Sequence, residues 1–161
     1  MSLHIPDDPF TQRLQQISQR IAQGQLQPAA QALNEAQAQR PKDVRVALMG
    51  VRLAQQAGNL AGAVQAARRA VALELGWFVA VAELALQLAA QGQFGEAMEH
   101  ARHAVALTPK EPRVLHSAAN VAQGAGDGKQ ALTWAQTALQ LDPQNHPLRL
   151  DYADMLYREP Q

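Results

Sequence analysis

Two glutamates and two histidines share one short stretch, EAMEHARH at residues 96–103, and such side chains bind metals and move protons. Glu96 and His100 are four apart, as are Glu99 and His103, so on a helix each pair meets on one face. Imidazole and carboxylate suit a divalent ion, but a stable centre needs three or four converging ligands. This stretch offers two histidines and no supporting third group. A solvated helix face with local Glu–His pairing is the expected state, and no metal site is assigned.

No other motif closes a reaction centre. The chain lacks the phosphate-binding G-x-x-x-x-G-K-[ST] loop, the H-E-x-x-H zinc helix and the G-x-S-x-G nucleophile turn. GAGDGK at 124–129 has glycines and a lysine without the loop's frame, and it reads as a turn. With no cysteine there is no disulfide framework and no thiolate site. Neither a nucleophile–base pair nor a metal cluster can be assembled, so the chain is expected to be no enzyme and to carry no cofactor.

The bulk composition narrows the partners. Lys+Arg and Asp+Glu are 14 each, so there is no basic face to exchange for counterions on nucleic acid or to hold an anionic membrane. The opening MSLHIPDDPF has acids where a secretory leader needs a basic stretch and an apolar run. No window reaches the roughly 18 apolar residues of a membrane span. The expectation is a cytoplasmic protein that meets neither nucleic acid nor membrane. At 161 residues one domain is the default. The abundance of Ala and Gln, with few β-branched or aromatic residues, favours helix.

The elements emerge from a repeat. Gly24, Gly58, Gly92 and Gly126 are spaced by 34, as are Ala29, Ala63, Ala97 and Ala131, and again Ala36, Ala70, Ala104 and Ala138. A further column reads Pro41, Leu75, Pro109, Pro143. Each glycine follows a helical run and supplies the left-handed residue that closes it. The alanine columns, seven apart, lie on one face of the next helix and allow a close crossing. The prolines stop that second helix. Each unit is therefore helix, turn, helix, stop, and such hairpins bury their apolar stripes only by stacking.

A 34-residue helical hairpin with these Gly, Ala and Pro columns resembles the tetratricopeptide repeat family. The resemblance implies an all-α, right-handed α-solenoid of four tandem hairpins, at 10–43, 44–77, 78–111 and 112–145, plus a C-terminal capping helix at 146–158. Residues 1–9 and 159–161 are then tails around one domain at 10–158. The chain departs from the family where large aromatics usually stand in the first helix. It has Ala47, Val81 and Leu115 there, and further on Ala54, Leu88 and Ala122. In the first unit Leu14, Ile17 and Ile21 run one residue out of phase.

The resemblance also implies a function. First helices of the family line a concave groove that receives a peptide. Carried onto this chain, the groove columns are Thr11, Arg45, Val79 and Arg113; Leu14, Leu48, Ala82, His116 and Leu150; and Ser18, Arg52, Leu86, Asn120 and Asp154. Val79, Ala82, Leu86 and Ala89 form an apolar middle between Arg45 and Arg52 on one side and Arg113, His116 and Asn120 on the other. That suits a protein or peptide partner with aliphatic and acidic side chains. Neither the Lys–Asn pairs that clamp a C-terminal carboxylate nor an asparagine ladder is present. The reading is a non-catalytic interaction module, an adaptor or scaffold. Two alternatives stay open: the recognition domain of a larger bacterial enzyme such as a sulfotransferase or glycosyltransferase, and a scaffold that self-assembles as a homo-oligomer.

One stretch, ALELGWFVA at 72–80, breaks the pattern. Leu75 takes the proline column and Gly76 follows as terminator. Phe78 shares its column with Phe10, Val44 and Pro112, which predicts burial. Trp77 shares its column with Asp43, Glu111 and Asn145, all polar. Trp is enriched at binding hot spots, so Trp77 is either a plug at the junction or an anchor for a partner.

Overall fold

The computed structural model describes residues 8–158. The expected tails, 1–9 and 159–161, lie outside these apart from Asp8 and Pro9. The described residues form nine helices and no strand. These are α1 (Pro9–Ala22), α2 (Leu26–Gln39), α3 (Val44–Gln56), α4 (Leu60–Leu73), α5 (Phe78–Ala90), α6 (Phe94–Leu107), α7 (Pro112–Gly124), α8 (Gly128–Leu141) and α9 (His146–Arg158). They fall in two compact units, Met1–Glu74 with α1–α4 and Leu75–Gln161 with α5–α9.

Local chemistry sets the ends of the helices. The repeat glycines all have positive φ, between 69° at Gly58 and 80° at Gly126. The amide after each glycine donates to a carbonyl five residues back, as in Asn59 N to Ala54 O at 2.8 Å, which satisfies the helix's last carbonyls. At the other end, Asp43 accepts from the Arg45 amide at 3.0 Å and Asn145 from the Leu148 amide at 3.1 Å. Trp77 occupies the same column and caps nothing. The second helices close at a residue with non-helical angles before the proline column. Arg40 has φ −132° and ψ 76° before Pro41, and Glu74 has nearly the same angles before Leu75. Gly76, with φ 84°, then makes the turn that proline makes elsewhere.

Small residues hold each hairpin together. Ala29, Ala36, Ala63, Ala70, Ala97, Ala104, Ala131 and Ala138 are all buried. At Gly50 an added Cβ would stand 3.4 Å from the Ala66 Cβ, so α3 and α4 nearly touch there. In the first unit Phe10, Leu14, Ile17 and Ile21 pack on Ala29, Ala32, Leu33, Ala36 and Val46, with Met49 and Leu53 against them. The out-of-phase stripe of α1 has a plain cause. Arg13 and Arg20 stand in columns that are apolar in α3, α5 and α7, and both line a recess between α1 and α2. Arg13 pairs there with Glu35 of α2.

Phe78 corrects an expectation. Its column mates Phe10 and Val44 are buried, but Phe78, like Pro112, is only half-buried. It opens α5, the first helix of its unit, and its ring goes to the surface depression described next.

Candidate functional site

In the second unit α5 and α7 pack side by side. Between them lies a depression of about 160 Å³ lined by Phe78, Val79, Ala82, Glu83, Leu86, Arg113, Val114 and Ser117. Four of the predicted groove residues, Val79, Ala82, Leu86 and Arg113, therefore come together. They do so because positions 79, 82 and 86 recur at helical spacing along one face of α5. Leu86 and Val79 are half-buried and form an apolar floor, while the Arg113 side chain is 84% exposed at the rim. Its Nε lies 3.7 Å from Glu111 Oε1, a loose contact that leaves the guanidinium exposed.

The other predicted residues of this unit go elsewhere. His116 Nε2 is 2.6 Å from Asp151 Oδ2, so it ties α7 to α9. Asn120 is exposed and outside the lining. Trp77 is half-buried and adjoins the lining only through the chain. Glu83 and Ser117 line the depression although the sequence reading left them out. They share a column with Asp151, one residue past the Ala82 and His116 column, and that adjacency was the available signal. Glu83 also accepts from the buried Gln87 side chain at 2.7 Å, which holds the carboxylate against α5.

The first unit shows the same columns in a different state. Asp43 both caps α3 and grips the Arg45 guanidinium, with Nε to Oδ1 at 3.0 Å and Nη2 to Oδ2 at 2.7 Å. Arg45 Nη1 donates to Thr11 Oγ1 at 3.1 Å, 34 residues back, and its guanidinium carbon sits 5.8 Å from the Phe10 ring centroid. The hydrogen bond from Arg45 holds the Asp43 carboxyl below the usual carboxylate range, and Asp43 in turn raises Arg45. Asp8 is lowered as well, first by the Phe10 amide and then by Arg40. Arg45 is thus committed to the hairpin stack. Arg52 makes one bond to Ser18 Oγ at 3.3 Å, again 34 residues back, and stays exposed. Leu48 is half-buried beside them.

On α6 the outward stretch behaves as a paired surface. His100 Nε2 and Glu96 Oε1 are 3.6 Å apart, and no three His, Asp or Glu side chains converge among the described residues. A recess of about 320 Å³ between α1 and α2, lined by Arg13, Gln16 and Arg20 among others, contains none of the predicted residues. None of the described helices is long and apolar enough to cross a membrane.

Tandem hairpins of this length, glycine closure and alanine crossing define a tetratricopeptide-repeat fold, and comparison with solved structures agrees. The chain is similar to pilF of Pseudomonas aeruginosa, with a TM-score of 0.80 and 20% identity over 94% of this chain and 69% of that one. It is similar to a thermophilic TPR protein of Thermus thermophilus, with a TM-score of 0.80 and 18% identity over 93% and 82%. An O-GlcNAc transferase of Thermobaculum terrenum matches at a TM-score of 0.66 and 25% identity, over 72% of this chain and 22% of that one. No protein-family model and no curated protein matches. The chain has the tetratricopeptide-repeat fold.

Proposed function

We propose that this chain is a non-catalytic protein-interaction module that holds a partner segment on its first-helix faces. The observation that carries this reading is the depression between α5 and α7, where an apolar floor of Val79, Ala82 and Leu86 meets the exposed Arg113. Aliphatic side chains of the partner fill the floor and supply most of the affinity, at roughly 25 cal/mol per Å² of apolar surface removed from water. An acidic group of the partner meets Arg113 and sets register through charge-assisted hydrogen bonds. In the first unit Arg52 offers the same contact, whereas Arg45 is spent on Asp43.

A displayed peptide library selected on the full chain tests this. Selected peptides should share an aliphatic residue near an acid. They should lose binding to Leu86→Glu and Arg113→Glu, and keep it with Arg102→Glu on α6. Peptides that ignore both inner-face changes but are lost with Arg102→Glu would move the site to the second helices and defeat the proposal. The likeness to part of an O-GlcNAc transferase supports a second reading, a recognition domain within a larger enzyme. A native reading frame encoding a catalytic domain beside this one would favour it.

A further inference from the structure

The two walls of the depression between α5 and α7 carry opposite charges. Arg113 stands on α7 and Glu83 on α5, beside the apolar floor of Val79, Ala82 and Leu86. Gln87, only 4% exposed, donates from Nε2 to Glu83 Oε1 at 2.7 Å and so fixes the half-buried carboxylate in its wall. A carboxylate has about four acceptor sites, so the bond that positions it does not prevent it from taking a cation. The same column shows this pairing in the last helix. Asp151 stands two repeats after Glu83, and its Oδ2 meets the basic Nε2 of His116 at 2.6 Å, from α9 to α7. The register also sets the distance between the two charges. As first helices of consecutive hairpins, α5 and α7 run in the same direction, so Arg113 is level with Val79 one repeat before it. Glu83 lies four residues past Val79, about 6 Å further along the helices. An extended chain covers that distance in about two residues.

We infer that the depression takes a short extended segment of the form acid–aliphatic–base, and that Glu83 is the residue that selects the base. The inference rests on the groove function proposed above and adds to it the partner's second charge and its direction. In an extended segment alternate side chains point to opposite sides. The middle, aliphatic one turns down onto Val79, Ala82 and Leu86, while its longer neighbours reach the walls, the acid to Arg113 and the base to Glu83. A segment laid the other way puts its acid against Glu83 and its base against Arg113, and both contacts repel. A partner that carries acids alone meets the same repulsion at Glu83. Glu83 thus acts against wrong partners as well as for the right one, which a purely basic groove cannot do.

A displayed library of random peptides, selected on the full chain, supplies the probes. Enriched peptides that are lost with Leu86→Glu should carry a Lys or Arg two positions from their acid. One of them is synthesised with a fluorescein label, beside a version in which Gln replaces the base, and both are titrated by anisotropy. On the parent chain the base should strengthen binding about fivefold, the upper end for a partly exposed ion pair. Glu83→Gln removes the charge but keeps an acceptor for Gln87, and on that variant the advantage of the base should vanish. On Glu83→Lys a third version, with Glu in place of the base, should become the tightest of the three. Enriched peptides that depend on Leu86 but carry no base overturn the inference and leave the groove function standing. So does an advantage of the base that persists on Glu83→Gln. Peptides indifferent to Leu86→Glu, or no enrichment at all, overturn both.

Discussion

Ala104→Leu should destabilise the second unit sharply, whereas Ala106→Leu on the same helix should do almost nothing. Ala104 is 1% exposed, and its column mates Ala36, Ala70 and Ala138 are fully buried, so a larger side chain has no free volume to enter. Overpacking at such a crossing costs about 1–3 kcal/mol, and the alanine-lined hairpin argues for the middle of that range, about 2 kcal/mol. Ala106 is exposed, and a surface change of the same chemistry stays within about 0.5 kcal/mol. Both substitutions carry the same small difference in helix propensity, so subtracting one from the other leaves the packing cost. Thermal melts followed by circular dichroism measure it. If the second unit, about 90 residues, unfolds on its own, 2 kcal/mol lowers its midpoint by about 8–16 °C. If the whole chain melts cooperatively, the fall is about 4–8 °C. The size of the shift therefore also reports how far cooperativity extends along the repeats. Equal midpoints for the two variants would refute the close-crossing assignment.

Gly50→Ala should stabilise by about 0.5–1 kcal/mol, because the helix interior gains propensity and the new Cβ meets Ala66 at an ordinary 3.4 Å; a lowered urea midpoint would contradict this. Asp43→Asn keeps a capping side chain but removes the charge held by Arg45, so it should lower the melting midpoint at neutral pH. The Asp43 carboxyl is depressed in the folded state, so its contribution is present above the usual carboxylate range and disappears as pH falls through the lowered value. The difference from the parent chain should accordingly close in acid, and a gap that persists or widens there would show that the ion pair is not its source. With a selected peptide, whose affinity should be on the order of micromolar, Arg113→Glu should weaken binding and flatten its salt dependence. A parallel salt slope in parent and variant would remove Arg113 from the contact.

Much of the fold was legible because the same few physical demands recur every 34 residues. A left-handed closing residue, a close crossing and a helix stop each restrict one position to glycine, alanine or proline, so the columns show in a single sequence. Where the demand could be met another way, the column was silent. Glu74 takes nearly the same non-helical angles as Arg40 although Leu75 follows it in place of proline. Phe78 shows the limit of column reasoning. Phe10 and Val44 are buried whereas Phe78 and Pro112 in the same column are half-buried, so a shared place in the repeat does not by itself fix what packs over a residue.

The site was legible in its apolar part and obscure in its charged part, for a reason that lies in reach. Val79, Ala82 and Leu86 are short, so the backbone phase of α5 fixes where they point. Arginine and histidine extend far enough to choose among partners, and the choice depends on rotamers that the sequence does not print. Arg45 found Asp43 and Thr11, and His116 found Asp151, so two of the four basic side chains that flank the apolar middle are already paired within the protein. Arg113 has the same arrangement of an acid two residues before it, yet its Glu111 contact is looser and its side chain is exposed. The difference between the anchored Arg45 and the exposed Arg113 thus rests on one acceptor: Thr11 sits one repeat behind Arg45, whereas Val79 stands one repeat behind Arg113 and offers none, while a phenylalanine, Phe10 or Phe78, stands beside both places. Val79→Thr would supply that missing acceptor. It should draw Arg113 back onto α5 and weaken peptide binding about as Arg113→Gln does, and unchanged affinity in Val79→Thr would show that the anchor does not govern which arginine is available.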